Sequence, residues 1–298
     1  MKNEISIAII TKNRKKELTN CLNSILHQTQ KPKIVVIIDN DSNQSAKKMI
    51  TYKKYKTLKI SYYSLLGSVP KCRNFAIKKT KGKYLGFTDD DCILDKHWVE
   101  NGIDTIDKNN PDFILGKTLL LNPNNIFALA QHNRDDYWKN QNSQIFDTKN
   151  AILNLASIRK RKLQFDEACQ KEAYDSADFD FDFTLKKNGL NGVYCKNMIV
   201  RHQETSNLQR FLRRAYFRGY LAKYLDKKWQ LQNQLVDLST HNSIIWLLKL
   251  IKNYRLDYSR YTKSMSGVSI LTKILAILVI KIFELYYVLG YVANQKNN

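Results

Sequence analysis

Glycine and proline are scarce in this chain, at 10 and 4 of 298 residues, against roughly 7% and 5% in average usage. Collagen-like and Pro/Gly low-complexity architectures are thereby excluded. The five cysteines (Cys21, Cys72, Cys92, Cys169, Cys195) are odd in number and form no Cys-x-x-Cys pair. That argues against a disulfide framework or a zinc site and fits a reducing cytoplasm. The first apolar run, ISIAII (5–10), is too short for a signal peptide or a membrane span and reads as a buried strand. Acid is also short: 49 Lys+Arg against 27 Asp+Glu leaves a net charge of +22. Such a charge suits nucleic acid, an anionic membrane or phosphorylated substrates, and carries no information about fold. What is present in quantity is apolar: 43% of residues are hydrophobic, enough for a sizeable core and against global disorder.

The first half alternates short apolar strands with helical patterns. ISIAII is followed by a helix over 15–27, KIVVIID (33–39) by a helical stretch with Met49 and Tyr52, and KISYYS (59–64) by a helix that Pro70 opens. KYLGFTDDDC (83–92) and DFILGKTLLL (112–121) are further strands. This order predicts βαβ units on a mainly parallel sheet flanked by helices, with ligands beyond the carboxyl ends of the strands. Those ends carry Thr11, Asn13 and Arg14, then Asp39 and Asp41, then Asp89, Asp90 and Asp91. Residues 122–150 read as a long surface loop with short helices. A boundary near 205 separates residues 1–205 from a helical region, 206–298.

In FTDDDC the alternation of an extended chain turns Asp89 and Asp91 one way and Asp90 the other. Paired carboxylates repel unless a cation neutralises them. Hard oxygen ligands at a strand end suit Mg²⁺ or Mn²⁺ shared with substrate phosphates. With these segments in order, residues 5–220 resemble the family 2 glycosyltransferases of the GT-A fold. ISIAIITKNRKKELTNCLNSILHQT is similar to the family's opening strand, turn and helix, KIVVIIDNDSN to its second strand, and KCRNFAIKKTKGKYLGFTDDDC to its segment ending in D-x-D. The resemblance implies an inverting transfer from a UDP-, dTDP- or GDP-linked sugar with Mg²⁺ or Mn²⁺. Thr11, Asn13 and Arg14 would border base and ribose, Asp39 would accept from the base, and Arg73 would approach base or diphosphate. Asp89, Asp90 and Asp91 would serve donor and metal.

FDEACQKEAYDSADFDFDFTLKKNGL (165–190) resembles the family's second acidic segment. Counting back from Gly189 places the catalytic base of the family on Asp178, with Ala177 where the family has Glu. Asp180 and Asp182 are then expected to be milder contributors to a polar helix start. His202, after the strand MIV (198–200), would complete the metal shell. Residues 207–229 form a basic–aromatic helix in which Arg213, Arg214 or Arg218 would meet a phosphate. In 268–293, Lys273, Lys281 and Glu284 fall within roughly 80° of one another on a helix, one polar stripe on an apolar cylinder. With the apolar stretch 243–252 and the net charge, this predicts peripheral, monotopic attachment to an anionic membrane on the cytoplasmic side. A helix packed onto the protein's own core or onto a partner subunit is the other reading. The acceptor expected is a glycan or lipid-linked glycan of a surface polysaccharide or glycolipid. Nucleic-acid binding and nucleotidyl transfer are the rival classes. The strand-end acids oppose nucleic-acid binding, and a missing glycine-rich, Lys-containing loop opposes nucleotidyl transfer.

Overall fold

The computed structural model describes residues 3–141, 145–231, 261–262, 265 and 267–294. The stretch 243–252, expected to be helical, lies outside them. In chain order the elements are β1 (Ile5–Thr11), α1 (Lys15–Leu26), β2 (Val35–Asp39), α2 (Lys47–Ile50), β3 (Ile60–Ser64), α3 (Val69–Lys79), β4 (Tyr84–Asp89), β5 (Cys92–Leu94), α4 (Trp98–Asn109) and β6 (Phe113–Leu120). There follow α5 (Ile126–Gln141), β7 (Ala151–Asn154), α6 (Leu155–Lys160), β8 (Gln170–Lys171), β9 (Tyr174–Asp175), α7 (Ala177–Lys187), β10 (Gly192–His202), α8 (Leu208–Trp229) and α9 (Ile270–Ala293). The chain divides into two compact units. One comprises Met1–Leu119, Ile145–Glu167 and Ala177–His202, the other Leu120–Gln144, Ala168–Ser176 and Gln203–Asn298.

The first unit is built on an eight-stranded sheet in the order β3-β2-β1-β4-β7-β6-β10-β5. β3, β2, β1 and β4 are parallel, while β7 runs antiparallel to β4 and to β6, and β5 antiparallel to β10. Near-continuous Val/Ile runs form the central strands because helices cover both faces. Ile5, Ile7 and Ile9 of β1 and Val35 and Ile37 of β2 are fully buried, and each contributes roughly 1.5–3 kcal/mol by leaving water. The register Thr11↔Asp39↔Ser64, with Ile10 opposite Asp89, brings the polar strand ends to one rim. α3 starts there, where Ser68 Oγ accepts from Lys71 N at 3.2 Å and Pro70 sits in the first turn, as expected.

Asn150 fixes the far half of the sheet. Its side chain donates to Lys117 O and Met198 O, each at 2.9 Å, and accepts from Trp98 Nε1 at 2.7 Å. A Cβ at Gly116 would lie 2.3 Å from Met198 O, so only glycine lets β6 come this close to β10. β10 is longer than the short strand expected, and its register His202↔Cys92 sets the imidazole beside the acidic strand end.

The second unit contains α5, the small β8–β9 pair, α8 and α9. α5 replaces the expected loop. Its buried side chains include Gln131, Asn133 and Arg134, so no apolar period marks it in the sequence. Arg134 instead lies 4.3 Å from the Phe283 ring centre and 5.4 Å from that of Tyr287. α8 and α9 cross at two glycines: a Cβ at Gly219 would lie 1.7 Å from Tyr287 O, and one at Gly290 1.8 Å from Tyr216 O. Arg213 pairs with Glu172 at 2.5 Å, Arg214 with buried Glu204 at 3.1 Å, and Arg218 with Asp135 at 3.0 Å. All three arginines expected to meet phosphates are thus engaged by carboxylates of their own unit.

On α9 the stripe inferred from sequence is largely covered. Lys281 pairs with Glu284 at 3.1 Å, and Glu284 also accepts from Tyr261 Oη at 2.9 Å. The exposed residues are Ile270, Leu271, Leu275, Leu278, Ile282 and Leu289. α9 is long and apolar enough to cross a membrane by length and composition.

Candidate active site

β1, β2 and β4 carry the acidic rim of the first unit. β4 ends at Asp89, and the chain turns at once into β5, so the strand alternation that sets Asp90 apart does not extend past it. Arg14 spans the turn instead: Nη1 lies 2.8 Å from Asp90 Oδ1 and Nη2 2.7 Å from Asp91 Oδ2. Thr11 Oγ1 donates to Asp90 Oδ2 at 2.8 Å. Asp90 is thus tied to the end of β1. Burial pushes its carboxyl up to about 7, against the opposing pull of Arg14. Asn13 takes φ 52° in the turn between β1 and α1, a left-handed conformation that Asn tolerates better than most residues.

Asp91 is pulled two ways. Burial raises its proton affinity, but His202 and Arg14 overcome this and hold the carboxyl below the usual range. His202 Nε2 is 3.2 Å from Asp91 Oδ1. That oxygen is buried and faces the imidazole. Asp89 is raised by burial and by the like charge of Asp91, against Arg73, His202 and Lys149. Asp91 and His202 thus set a carboxylate and an imidazole within reach of one ion, and donors of this kind suit a hard divalent cation. Cys92 also lies near Asp91 and His202, but its burial pushes the thiol well above its ordinary range. A neutral thiol is a poor ligand, and Cys92 belongs to the core.

Asp39 is fully buried at the end of β2. Its Oδ2 accepts from Ala46 N at 3.0 Å and from Tyr62 Oη at 2.9 Å, while Oδ1 has no hydrogen-bond partner among the described residues. Burial, then the Asp39 bond, raises Tyr62 above its ordinary range.

Asp178 stands in the first turn of α7. Arg73 Nη1 lies 3.2 Å from its Oδ1, and Thr148 Oγ1 donates to its Oδ2 at 3.1 Å. Arg73, buried on α3, thus faces Asp178 while its charge reaches Asp89. The Phe165 ring holds this arrangement: its centre is 5.5 Å from the Arg73 guanidinium and it stacks on Phe181 of α7 at 4.0 Å. Asp182 is tied up, accepting from Phe146 N at 2.9 Å and from Lys186 Nζ at 2.7 Å. Asp180 is buried. The structure brings together Thr11, Arg14, Asp90, Asp91 and His202, and pairs Arg73 with Asp178. Asp39 lies at the same rim, two strands from β4. Tyr62 and the neighbours Thr148 and Lys149 had no motif to announce them, because β3 and the 148–150 turn lie in segments apart from the acidic motifs.

A half-parallel sheet with carboxylates at the strand ends defines a GT-A-type fold, the class of the nucleotide-sugar transferases. The mannosyltransferase PcManGT from Pyrobaculum calidifontis, solved with GDP-Man and Mn²⁺, shares it at a TM-score of 0.62 and 12% identity, over 100% of this chain and 88% of that one. TarS 1–349 of Staphylococcus aureus, solved with UDP-GlcNAc, does so at 0.55 and 17%, over 96% and 92%. The profile of Glycosyl transferase family 2 matches residues 6–164, and the chain belongs to that family. Poly(ribitol-phosphate) beta-N-acetylglucosaminyltransferase TarP of S. aureus (strain N315) is 32% identical over 120 residues, 38% of this chain and 36% of TarP. The match therefore spans about a third of that relative.

Proposed function

We propose that the chain transfers a sugar from a nucleoside-diphosphate sugar to a glycan or lipid-linked acceptor, with inversion, in the synthesis of a surface polysaccharide or glycolipid. The observation that carries this reading is the ion pair of Arg73 with Asp178 at 3.2 Å, which sets a carboxylate of α7 against α3, the helix that starts at the acidic rim. Asp178 takes the proton of the acceptor hydroxyl as its oxygen attacks the anomeric carbon. Thr148 and Arg73 hold it in place. Asp39 Oδ1 accepts an N–H of the base, with Tyr62 and Ala46 N fixing the carboxylate. Asn13 and Arg14 border the ribose, and Thr11 and Asp90 support that corner. Asp89, Asp91 and His202 would hold Mg²⁺ or Mn²⁺, which when bound offsets the charge of the leaving diphosphate. TarS with UDP-GlcNAc and PcManGT with GDP-Man and Mn²⁺ support a nucleotide-sugar donor. TarP, named for transfer to poly(ribitol-phosphate), supports a polymeric acceptor.

In this reading residues 1–205 carry the chemistry. Residues 206–298 attach the protein to the cytoplasmic face of the membrane, supported by the exposed leucines of α9. Calorimetric titration with UDP-, dTDP- and GDP-sugars tests the donor site. One base should bind, and Asp39→Ala should weaken that donor at least tenfold. Equal binding to wild type and Asp39→Ala would remove Asp39 from base recognition.

A further inference from the structure

Between Asp41 and Asp89 the sequence holds no acidic residue, yet it carries eleven lysines and Arg73. All eleven lysines are exposed, whereas Arg73 is buried. A second acid-free run, 155–165, carries Arg159, Lys160, Arg161 and Lys162, also exposed. The topology gathers members of both runs. β1 to β4 run parallel, so the carboxylates lie at one end of these strands and the strand starts at the other. Lys59 immediately precedes β3, and Lys81 and Lys83 precede β4. α3 begins at the carboxylate end and leads to the start of β4, which carries Lys78 and Lys79 to the opposite end. β7 pairs antiparallel with β4, Asn154 opposite Tyr84, so α6 begins there, with Leu155 N donating to Lys83 O at 2.7 Å. Arg159 Nη2 then donates to Ile77 O and Thr80 O, both at 2.6 Å. It satisfies carbonyls at the end of α3 and fixes the α6 run against Lys78–Lys83.

Three acids at this end have polar partners. Glu4 pairs with Lys33 at 2.7 Å, Asp107 accepts from Asn3 at 2.6 Å, and Asp112 accepts from Ser157 Oγ and from Asn191 N. Nothing in the transfer chemistry uses the basic cluster, which lies at the opposite ends of the strands from Asp39 and Asp89.

We propose that this end of the sheet is an electrostatic docking face for an anionic lipid surface, and that docking there leaves the carboxylate rim turned away from the lipid. Lysine dominates the cluster, and its mobile point charge suits headgroups that move laterally, where arginine forks suit a fixed phosphate. Clusters of this size are drawn to acidic membranes. A single-stranded nucleic acid would call for aromatic platforms on which bases stack, and no exposed large aromatic lies in either the 77–83 or the 155–165 segment. The inference does not depend on the transfer activity.

The test is flotation of the full chain with phosphatidylcholine vesicles, with and without about 30% phosphatidylglycerol as the anionic lipid. The variant Lys78→Glu/Lys81→Glu/Lys160→Glu/Arg161→Glu spares Arg159, and its replaced side chains are exposed. A control, Lys15→Glu/Lys16→Glu/Lys47→Glu/Lys48→Glu, makes the same change in net charge in the helices that follow the C-terminal ends of β1 and β2. The first variant should lose at least about thirtyfold in affinity for anionic vesicles, since each basic side chain near the surface contributes roughly fivefold. The control should lose far less. The glutamine version of the first set is used if the glutamate version fails to fold. Equal losses in the two sets would reduce the effect to net charge and overturn the proposal. So would unchanged binding, or binding to soluble polyphosphate with none to vesicles.

Discussion

Asp178 and Asp182 lie four residues apart on one short helix, and their partners separate them. Asp178 is held by Thr148 and Arg73 and is part-exposed, whereas Asp182 caps Phe146 N and pairs with Lys186. Asp178→Asn should retain donor binding and lose turnover by about 10²–10⁴-fold, the usual weight of a general base. Asp182→Ala should instead lower stability by about 1–3 kcal/mol, because it leaves a buried N–H unpaired. Turnover and thermal melting of both variants separate the roles, and a dead Asp182→Ala that melts like wild type would reverse them. The register counted back from Gly189 in the sequence reaches the residue that the structure sets beside Arg73. Thr148 and Tyr62 were not legible, since their contacts join segments 30 and 23 residues from their partners. The thiols give a further check. Burial pushes Cys72 up to about 11 and raises Cys21 and Cys92 well above the ordinary thiol range, and Cys169 is buried. Titration of the native protein with a thiol reagent at pH 8 should therefore find one fast group, Cys195. Several fast thiols would contradict the packing of β4, β5 and α1.

Among elements, strands and helices with a clean period were readable, and those whose buried face is polar were not. β1, β2 and β4 announce themselves by Val/Ile runs, while α5 buries Gln131, Asn133 and Arg134 and so shows no apolar stripe. α9 was legible as a helix, but its orientation was not: charge count alone put Lys281 and Glu284 on the wet side, and packing against Tyr261 covers them. Two outcomes follow. In an ordinary exposed helix, Gly→Ala stabilises by about 1 kcal/mol. At Gly219 the added methyl would meet the α9 backbone, so Gly219→Ala should destabilise by about 1–3 kcal/mol or more, read as a lower melting temperature. A higher melting temperature would show that α8 and α9 do not cross there. Leu275→Gln/Leu278→Gln/Ile282→Gln should leave melting nearly unchanged, since these side chains are exposed, and should weaken vesicle binding even at high salt, because the loss is apolar. A variant that unfolds would show that the stripe is covered.

In the molecule as a whole, the order of strands and acids in the sequence was enough to place the family and the rim. What the sequence could not show is how the charges are paired. Arg14 reads as a donor contact, and in the fold it also neutralises Asp90 and Asp91. The same holds for Arg213, Arg214 and Arg218, whose partners Glu172, Glu204 and Asp135 lie from 10 to 83 residues away. The measurement that bears most directly on the proposed chemistry is release of nucleoside diphosphate from the donor that binds, with acceptor supplied as a membrane extract. It is run with Mn²⁺, with EDTA, and with Asp89→Ala and Asp91→Ala. Turnover should require the cation and vanish in both variants while their melting temperatures stay near that of the wild type. Turnover that survives chelation and both substitutions would contradict the assignment of this carboxylate rim as the transferase centre.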